Sequence, residues 1–129
     1  MNDANEIRGN NFKKLCKSEI EEMHSDGTNF ISPCKDVYKD FPKILITHHA
    51  LSNKSIGERY KHSTINKYFV THLPYLLEGF DYHIHGHIHS KINYVEKGCN
   101  VLCNPLGYGH EVGEVTLESF EIGEYNENN

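Results

Sequence analysis

Histidine is frequent in this chain and is concentrated at two places. Ten of the 129 residues are histidine, and five of these lie between His72 and His89. One candidate group is the pair His48 and His49, and the other ends the string Gly86-His87-Ile88-His89. Neutral imidazole is the commonest metal ligand in proteins. Because His87 and His89 share one short loop, they could each serve one of two ions ~3.5–4 Å apart.

Both histidine groups follow segments that are predicted to be strands. The run Lys43-Ile44-Leu45-Ile46-Thr47 is short and apolar, which is typical of a buried strand in a parallel or mixed sheet. Residues 81–85 alternate in polarity and predict a second strand. Ligands in open α/β sheets collect at the carboxyl ends of strands. The two groups are therefore expected at the same kind of place in the fold.

The remaining chain alternates between helical and extended patterns. Apolar spacing predicts a helix from Ser18 to Ile31, ended by Ser32-Pro33, and a second helix at about 66–78 followed by Gly79. Residues 52–63 are predicted to form a loop. Further strands are expected at 91–96, 99–103 and 114–122. This order predicts an α/β or α+β fold with a β-rich C-terminal part.

Composition and charge exclude several classes of protein. The formal net charge is −5 and the sequence pI is about 6.0, which argues against non-specific nucleic-acid binding because that needs a basic face. No apolar run is long enough to span a membrane. The polar N-terminus lacks the pattern of a secretory signal. A cytoplasmic location with reduced cysteines is therefore the expectation.

Four ordered motifs resemble one enzyme family. They are Thr47 to Ala50 (T-H-H-A), Ser55 to Tyr60 (S-I-x-x-R-Y), His85 to His89 (H-G-H-x-H) and Val101 to Tyr108 (V-x-C-N-P-x-G-Y). In this order they resemble the C-terminal half of a calcineurin-like metallophosphoesterase. The resemblance implies half of a four-layer αββα sandwich, with a mixed sheet and flanking helices. Residues 1–123 would form this partial domain, and 124–129 a frayed acidic tail.

The resemblance also implies a set of metal ligands. His48 and His87 correspond to ligands of the second metal, and His89 to a ligand of the first. The family uses two divalent ions, commonly Mn, Fe, Zn or Ni, to hold a phosphoester substrate, either a small molecule or a phosphorylated macromolecule. Metal-bound water has a lowered pKa, and the ions neutralise phosphoryl charge.

Other ligands of the family have no counterpart in this sequence. Its Asp-x-His, bridging Asp and Gly-Asn-His/Asp segments all precede the T-H-H motif, so no catalytic residue is identified here. Three imidazoles divided between two ions should hold both weakly. The chain alone is therefore expected to have little activity, and to complete its site with an N-terminal-half polypeptide or to self-associate through exposed strand edges.

Three further residues are candidates for supporting roles. His49 could line the substrate cleft, His85 could orient a ligand, and Arg59 could contact a substrate phosphate. Packing or a structural ion pair would explain the same residues without a site. Two other functions remain open: a non-catalytic remnant or metal-binding module, and, on the H-x-H-x-H string, a histidine-triad nucleotide hydrolase.

Overall fold

The computed structural model describes residues 17–37, 39–63, 70–108 and 116–122. The chain divides into two compact units, Met1–Val37 and Tyr38–Asn129, and each is described by itself. The predicted boundary after residue 123 and the acidic tail at 124–129 lie outside the described residues. Among the described residues, no helix combines the length and apolar character needed to cross a membrane.

In the first unit the structure describes one helix, α1 (Lys17–Val37). Glu19 in its first turn and Lys35 in its last turn complement the helix dipole. The predicted end at Ile31 is wrong, because the helix continues through Pro33. Proline removes one backbone hydrogen bond, to the carbonyl of Asn29. Since Asn29 is exposed, that carbonyl can bond to water instead.

In the second unit a four-stranded sheet follows the predicted strands closely. The strands are β1 (Ile44–Thr47), β2 (Tyr82–His85), β3 (Ile92–Glu96) and β4 (Cys99–Cys103), in the spatial order β1-β2-β4-β3. The β1–β2 and β2–β4 pairs are parallel, and β3–β4 is antiparallel. The fold is thus mixed α and β, as the sequence predicts at this level.

One face of the sheet is the core. Leu45, His83 and Val101 lie in one row across β1, β2 and β4, and all three are buried. Cys99 and Cys103 lie on the same face of β4, and burial raises the pKa of each thiol to about 11. Both cysteines are free, so they pack as small apolar side chains.

Two predicted elements differ from the structure. From the second predicted helix only the 3₁₀ turn Pro74–Leu77 forms, because Pro74 biases Leu73 away from α-helical backbone. Upstream, Val70 bridges to Ala50, and residues 64–69 lie outside the described part. The last predicted strand is wrong over 116–122, which is irregular; residues 114–115 are not described. The predicted loop at 52–63 contains two 3₁₀ turns, Asn53–Ser55 and Glu58–Tyr60.

Candidate metal centre

The two histidine loops meet because their strands are parallel neighbours in register. Thr47, the last residue of β1, pairs with His85, the last residue of β2. The Gly86 N–H then donates to the His48 carbonyl at 3.1 Å, which extends the pairing one step beyond the strands. A Cβ on Gly86 would lie 3.8 Å from His48 Nδ1. That distance, and 3.7 Å to the His48 carbonyl oxygen, are ordinary van der Waals contacts, so Gly86 packs against His48 without overlap.

Three imidazoles converge at this edge. His48, His49 and His87 each offer one ring nitrogen, and these atoms all lie within 4.8 Å of one another. His48 Nε2 and His87 Nδ1 are 3.1 Å apart. The ring centroids are separated by 5.0 Å (His48–His49), 4.9 Å (His48–His87) and 4.6 Å (His49–His87). We refer to these three residues as the histidine cluster, and its donor set could hold a metal ion.

The backbone at His87 is strained. His87 has φ 61°, a left-handed conformation that non-glycine residues rarely adopt. The turn around it is closed by the Ile88 N–H, which donates to the Gly86 carbonyl at 2.7 Å. Strain of this kind costs of order 1–3 kcal/mol and persists only where the surroundings enforce it. The His87 ring is thus placed by its turn.

A buried histidine, His83, supports the loop that follows β1. The Thr47 hydroxyl donates to the His49 carbonyl at 2.5 Å, so its oxygen is left to accept from His83 Nε2 at 2.8 Å. His83 is fully buried, and the other ring nitrogen, Nδ1, has no hydrogen-bond partner among the described residues. These contacts assign the proton of His83 to Nε2 and fix the carbonyl next to the cluster.

A second chain of hydrogen bonds supports the turn at His87. Ser55 Oγ lies 2.9 Å from both Tyr94 Oη and His85 Nε2, and His85 Nδ1 lies 3.1 Å from the Gly86 carbonyl. A carbonyl only accepts, so Nδ1 carries the proton and Nε2 accepts from Ser55. Tyr94 then donates to Ser55, and burial, which raises the pKa of Tyr94, keeps that proton in place. The order Tyr94, Ser55, His85, Gly86 is a directed chain that ends on the strained turn.

Both supporting histidines are held neutral. Burial, with a smaller contribution from the neighbouring His85, lowers the pKa of His83 to about 4. Burial also lowers the pKa of His85, although its hydrogen bond to Gly86 opposes the shift. Between the folded value of about 4 for His83 and an unfolded value near 6.5, the unfolded chain binds more protons. Stability should therefore rise with pH across this window and fall as the solution is acidified.

We expect the contribution of His83 to reach about 3 kcal/mol, fully present above pH ~6.5 and lost by pH ~4. Urea unfolding followed by circular dichroism at pH 7, 5.5 and 4.5 measures it. His83→Gln, which keeps a donor for Thr47 but does not titrate, should flatten the dependence relative to the parent. Identical pH slopes for the two chains would contradict the assignment.

The structure places the predicted site residues unequally. His48 and His87 come together, and His49 joins them. His85 is not part of the histidine cluster but belongs to the hydrogen-bond chain that joins Ser55 to the Gly86 carbonyl. His89 is exposed and its ring meets the edge of Tyr108, with centroids 4.5 Å apart; it does not belong to the histidine cluster. The side chain of Arg59 lies outside the described part, and its role stays a prediction.

Two supporting residues were not predicted as part of the site. Ser55 belongs to the S-I-x-x-R-Y motif, so its position in a motif was a usable signal. Tyr94 has no comparable sequence signal, because tyrosine is a common residue in β-strands. Its role depends on the pairing of β3 with β4, which brings Tyr94 beside Val101.

Comparison of the chain with family models, with curated proteins and with solved structures gave no match in any of the three. The relation to calcineurin-like phosphoesterases therefore stays a prediction from the four sequence motifs. Function is argued below from those motifs and from the histidine cluster.

Proposed function

We propose that this chain is the histidine-bearing half of a metal-dependent phosphoester hydrolase of the calcineurin-like class. One observation carries the proposal: His48 and His87, which the motifs assign to one metal, have ring nitrogens 3.1 Å apart although they are 39 residues apart in sequence. Each follows the carboxyl end of one of two adjacent parallel strands, where ligands of open α/β sheets collect.

In this proposal the described residues supply ligands, and an N-terminal-half segment supplies the remainder of the site. His48 and His87 would hold one divalent ion, and His89 would contribute to a second. Mn, Fe, Zn or Ni would activate water and neutralise phosphoryl charge. Arg59 would contact the phosphate of the substrate. The four-layer sandwich and a cytoplasmic location belong to the same proposal.

The outer strand β1 suits such a partner. It lies at one end of the described sheet, so one of its edges has no strand neighbour among the described residues, and the Ile46 side chain on one of its faces is 73% exposed. An apolar strand edge of this kind invites pairing with another chain. An N-terminal-half polypeptide and a second copy of this chain are both candidates for that position.

Complementation tests the proposal. The full chain, an N-terminal-half polypeptide of a calcineurin-like phosphoesterase, and their mixture are assayed with Mn²⁺ and bis(p-nitrophenyl) phosphate. We expect each component alone to stay near background and the mixture to show metal-dependent turnover. A turnover number above ~1 s⁻¹ for this chain alone, which is ordinary for an enzyme, would contradict the proposed incompleteness. Absence of rescue would count against the phosphoesterase assignment.

A second function is favoured by the histidine cluster itself. Three converging imidazoles could serve a non-catalytic metal-binding module without any partner. Stable metal binding by the chain, together with no rescue in the mixture, would favour this alternative.

A further inference from the structure

An open cleft lies at the opposite edge of the sheet from the histidine cluster. Its volume is about 480 Å³, which is within the size range of small-molecule sites. Each of the three parallel strands begins at this cleft: Lys43 precedes β1, Asp81 precedes β2 and Gly98 precedes β4. The strands have four or five residues, so at a rise of ~3.3 Å per residue they separate the two edges by roughly 13–17 Å. The cleft is therefore distinct from the candidate metal centre.

Three lysines from two distant parts of the chain line this cleft. Lys39 and Lys43 come from the segment before β1, and Lys97 comes from the turn between β3 and β4. Lys43 has further contacts, but within the described part of the chain neither Lys39 nor Lys97 has an ion-pair partner. We refer to the site as the lysine cleft. By contrast, three lysines elsewhere in the same unit each pair with a glutamate: Lys54, Lys61 and Lys91.

Two aspartates also line the lysine cleft, and one of them is engaged by the backbone. Asp81 Oδ2 accepts from the Lys43 N–H at 2.7 Å. The Asp81 N–H donates to the Lys43 carbonyl at 2.9 Å, and the Asn100 N–H donates to the Asp81 carbonyl at 2.9 Å. The second aspartate, Asp40, is exposed. Three lysines against two aspartates leave an excess of positive charge, on a backbone that is tied across β1, β2 and β4.

The lysine cleft also has apolar surface and open space. Phe80, which is buried, and Phe41, which is 47% exposed, both line it. Lys97 and Gly98 have φ 54° and 79°, as in a type I′ hairpin turn. A Cβ on Gly98 would meet nothing within 4 Å. A ligand with a charged group and a flat organic part would find a complementary surface for each.

The two lysines without an ion-pair partner indicate a doubly charged anion. A phosphate monoester has a charge of about −1.5 to −2 at pH 7, and lysine binds phosphate as a point charge. A volume of about 480 Å³ is far more than a phosphate ion alone would fill. The exposed ring of Phe41 provides a surface on which an aromatic group can pack.

We propose that the lysine cleft binds a small phosphate monoester with an aromatic group. Lys39 and Lys97 hold the phosphate, Lys43 adds to the local positive charge, and Phe41 contacts the aromatic group. The inference concerns this cleft alone and holds whether or not the chain takes part in phosphoester hydrolysis.

Calorimetric titration of the full chain with phenyl phosphate, in EDTA and at low salt, tests the proposal. We expect one ester per chain with a dissociation constant below about 5 mM, and weaker binding at high salt. Lys39→Gln and Lys97→Gln should each weaken binding at least ~5-fold, because each removes a charge-assisted contact to the phosphate. Lys61→Gln removes the same charge outside the cleft, and its binding should stay within about twofold of the parent.

Replacing Phe41 with leucine tests the aromatic part of the ligand. The parent should bind phenyl phosphate more tightly than inorganic phosphate, which lacks a ring. Phe41→Leu keeps an apolar side chain but no ring, so the difference between the two ligands should shrink while the binding of inorganic phosphate stays the same. Equal binding of both ligands by the parent would overturn the assignment of an aromatic ester.

Nuclear magnetic resonance of the ¹⁵N-labelled parent chain locates the ligand without any variant. Phenyl phosphate should shift the amide signals of Gly79 and Gly98, which line the lysine cleft, and not that of Gly86, which packs against His48. His87→Ala should bind the ester as the parent does. A shift at Gly86 with loss of binding in His87→Ala would place the ester at the histidine cluster and overturn the proposal.

Two further results would also overturn it. One is equal weakening in Lys39→Gln, Lys97→Gln and Lys61→Gln, which would show a general effect of charge. The other is a dissociation constant for the parent above about 5 mM. Because the titrations contain EDTA and measure no turnover, the complementation assay can fail or succeed separately.

Discussion

Replacing His87 with alanine should abolish the metal-dependent hydrolysis that the complemented protein is proposed to carry out. His87 contributes one of the two closest nitrogens in the histidine cluster, 3.1 Å from His48 Nε2. Losing a residue that merely supports a metal ligand typically costs 10–100-fold in affinity or activity. Losing the ligand itself should cost more, so we expect a fall of at least ~100-fold in turnover.

The measurement is the initial rate of bis(p-nitrophenyl) phosphate hydrolysis at saturating Mn²⁺, with the variant and the parent chain mixed in turn with the same N-terminal-half polypeptide. His62→Ala is the matched control, because it removes an exposed imidazole from a turn. Equal loss in both variants would point to damaged assembly. Full activity of the His87→Ala mixture would remove His87 from the site.

Replacing Ser55 with alanine should give the largest loss of stability among the supporting residues. Ser55 is fully buried and its hydroxyl is 2.9 Å from each of His85 Nε2 and Tyr94 Oη. The variant leaves His85 Nε2 without its hydrogen-bond donor, and it removes one partner of the half-buried Tyr94 hydroxyl, which also has a hydrogen bond with Ser52. A buried polar group left unpaired costs about 1–3 kcal/mol. We therefore expect the free energy of unfolding to fall by about 1–3 kcal/mol.

A double-mutant cycle separates this effect from simple loss of volume. Tyr94→Phe removes the hydroxyl that bonds to Ser55, so adding it to the Ser55→Ala chain should cost less than adding it to the parent. Urea unfolding of the four chains at pH 7 provides the coupling energy. Additive losses would show that the directed chain of hydrogen bonds does not contribute as a unit.

The strands could be predicted from sequence because their signals are local. Ile44-Leu45-Ile46 is a short apolar run, and the β3–β4 turn at Lys97-Gly98, with both residues at positive φ, contains the glycine that such turns favour. The end of the first helix was predicted wrongly because Pro33 was taken to stop it. The carbonyl that loses its hydrogen bond to Pro33 belongs to the exposed Asn29, so the helix continues. The helix predicted at 66–78 does not form around Pro74, because the backbone N–H groups of Thr71 and Leu73 donate instead to Ala50 and Leu51.

The sequence predicted where the site lies, but it predicted only part of the set of residues that form it. His48 and His87 follow the carboxyl ends of two parallel neighbouring strands, so the strand pattern of the sequence already places both residues at one edge of the sheet. The choice between His49 and His89 depends on the left-handed turn at His87. That conformation is uncommon for a residue other than glycine. The hydrogen bonds that run from Tyr94 through Ser55 and His85 to the neighbouring Gly86 carbonyl join residues far apart in sequence, so local sequence does not reveal them.

The strand pairing also bears on the order in which the molecule is assembled. β3 and β4 form a hairpin whose closest partners, Glu96 and Cys99, are three residues apart, and such local pairs close within microseconds. β1 must find β2 across a much longer loop, from Thr47 to His85, and long loops slow folding. The cluster then forms late, so a bound ion would act chiefly by slowing unfolding and would do little to hasten folding.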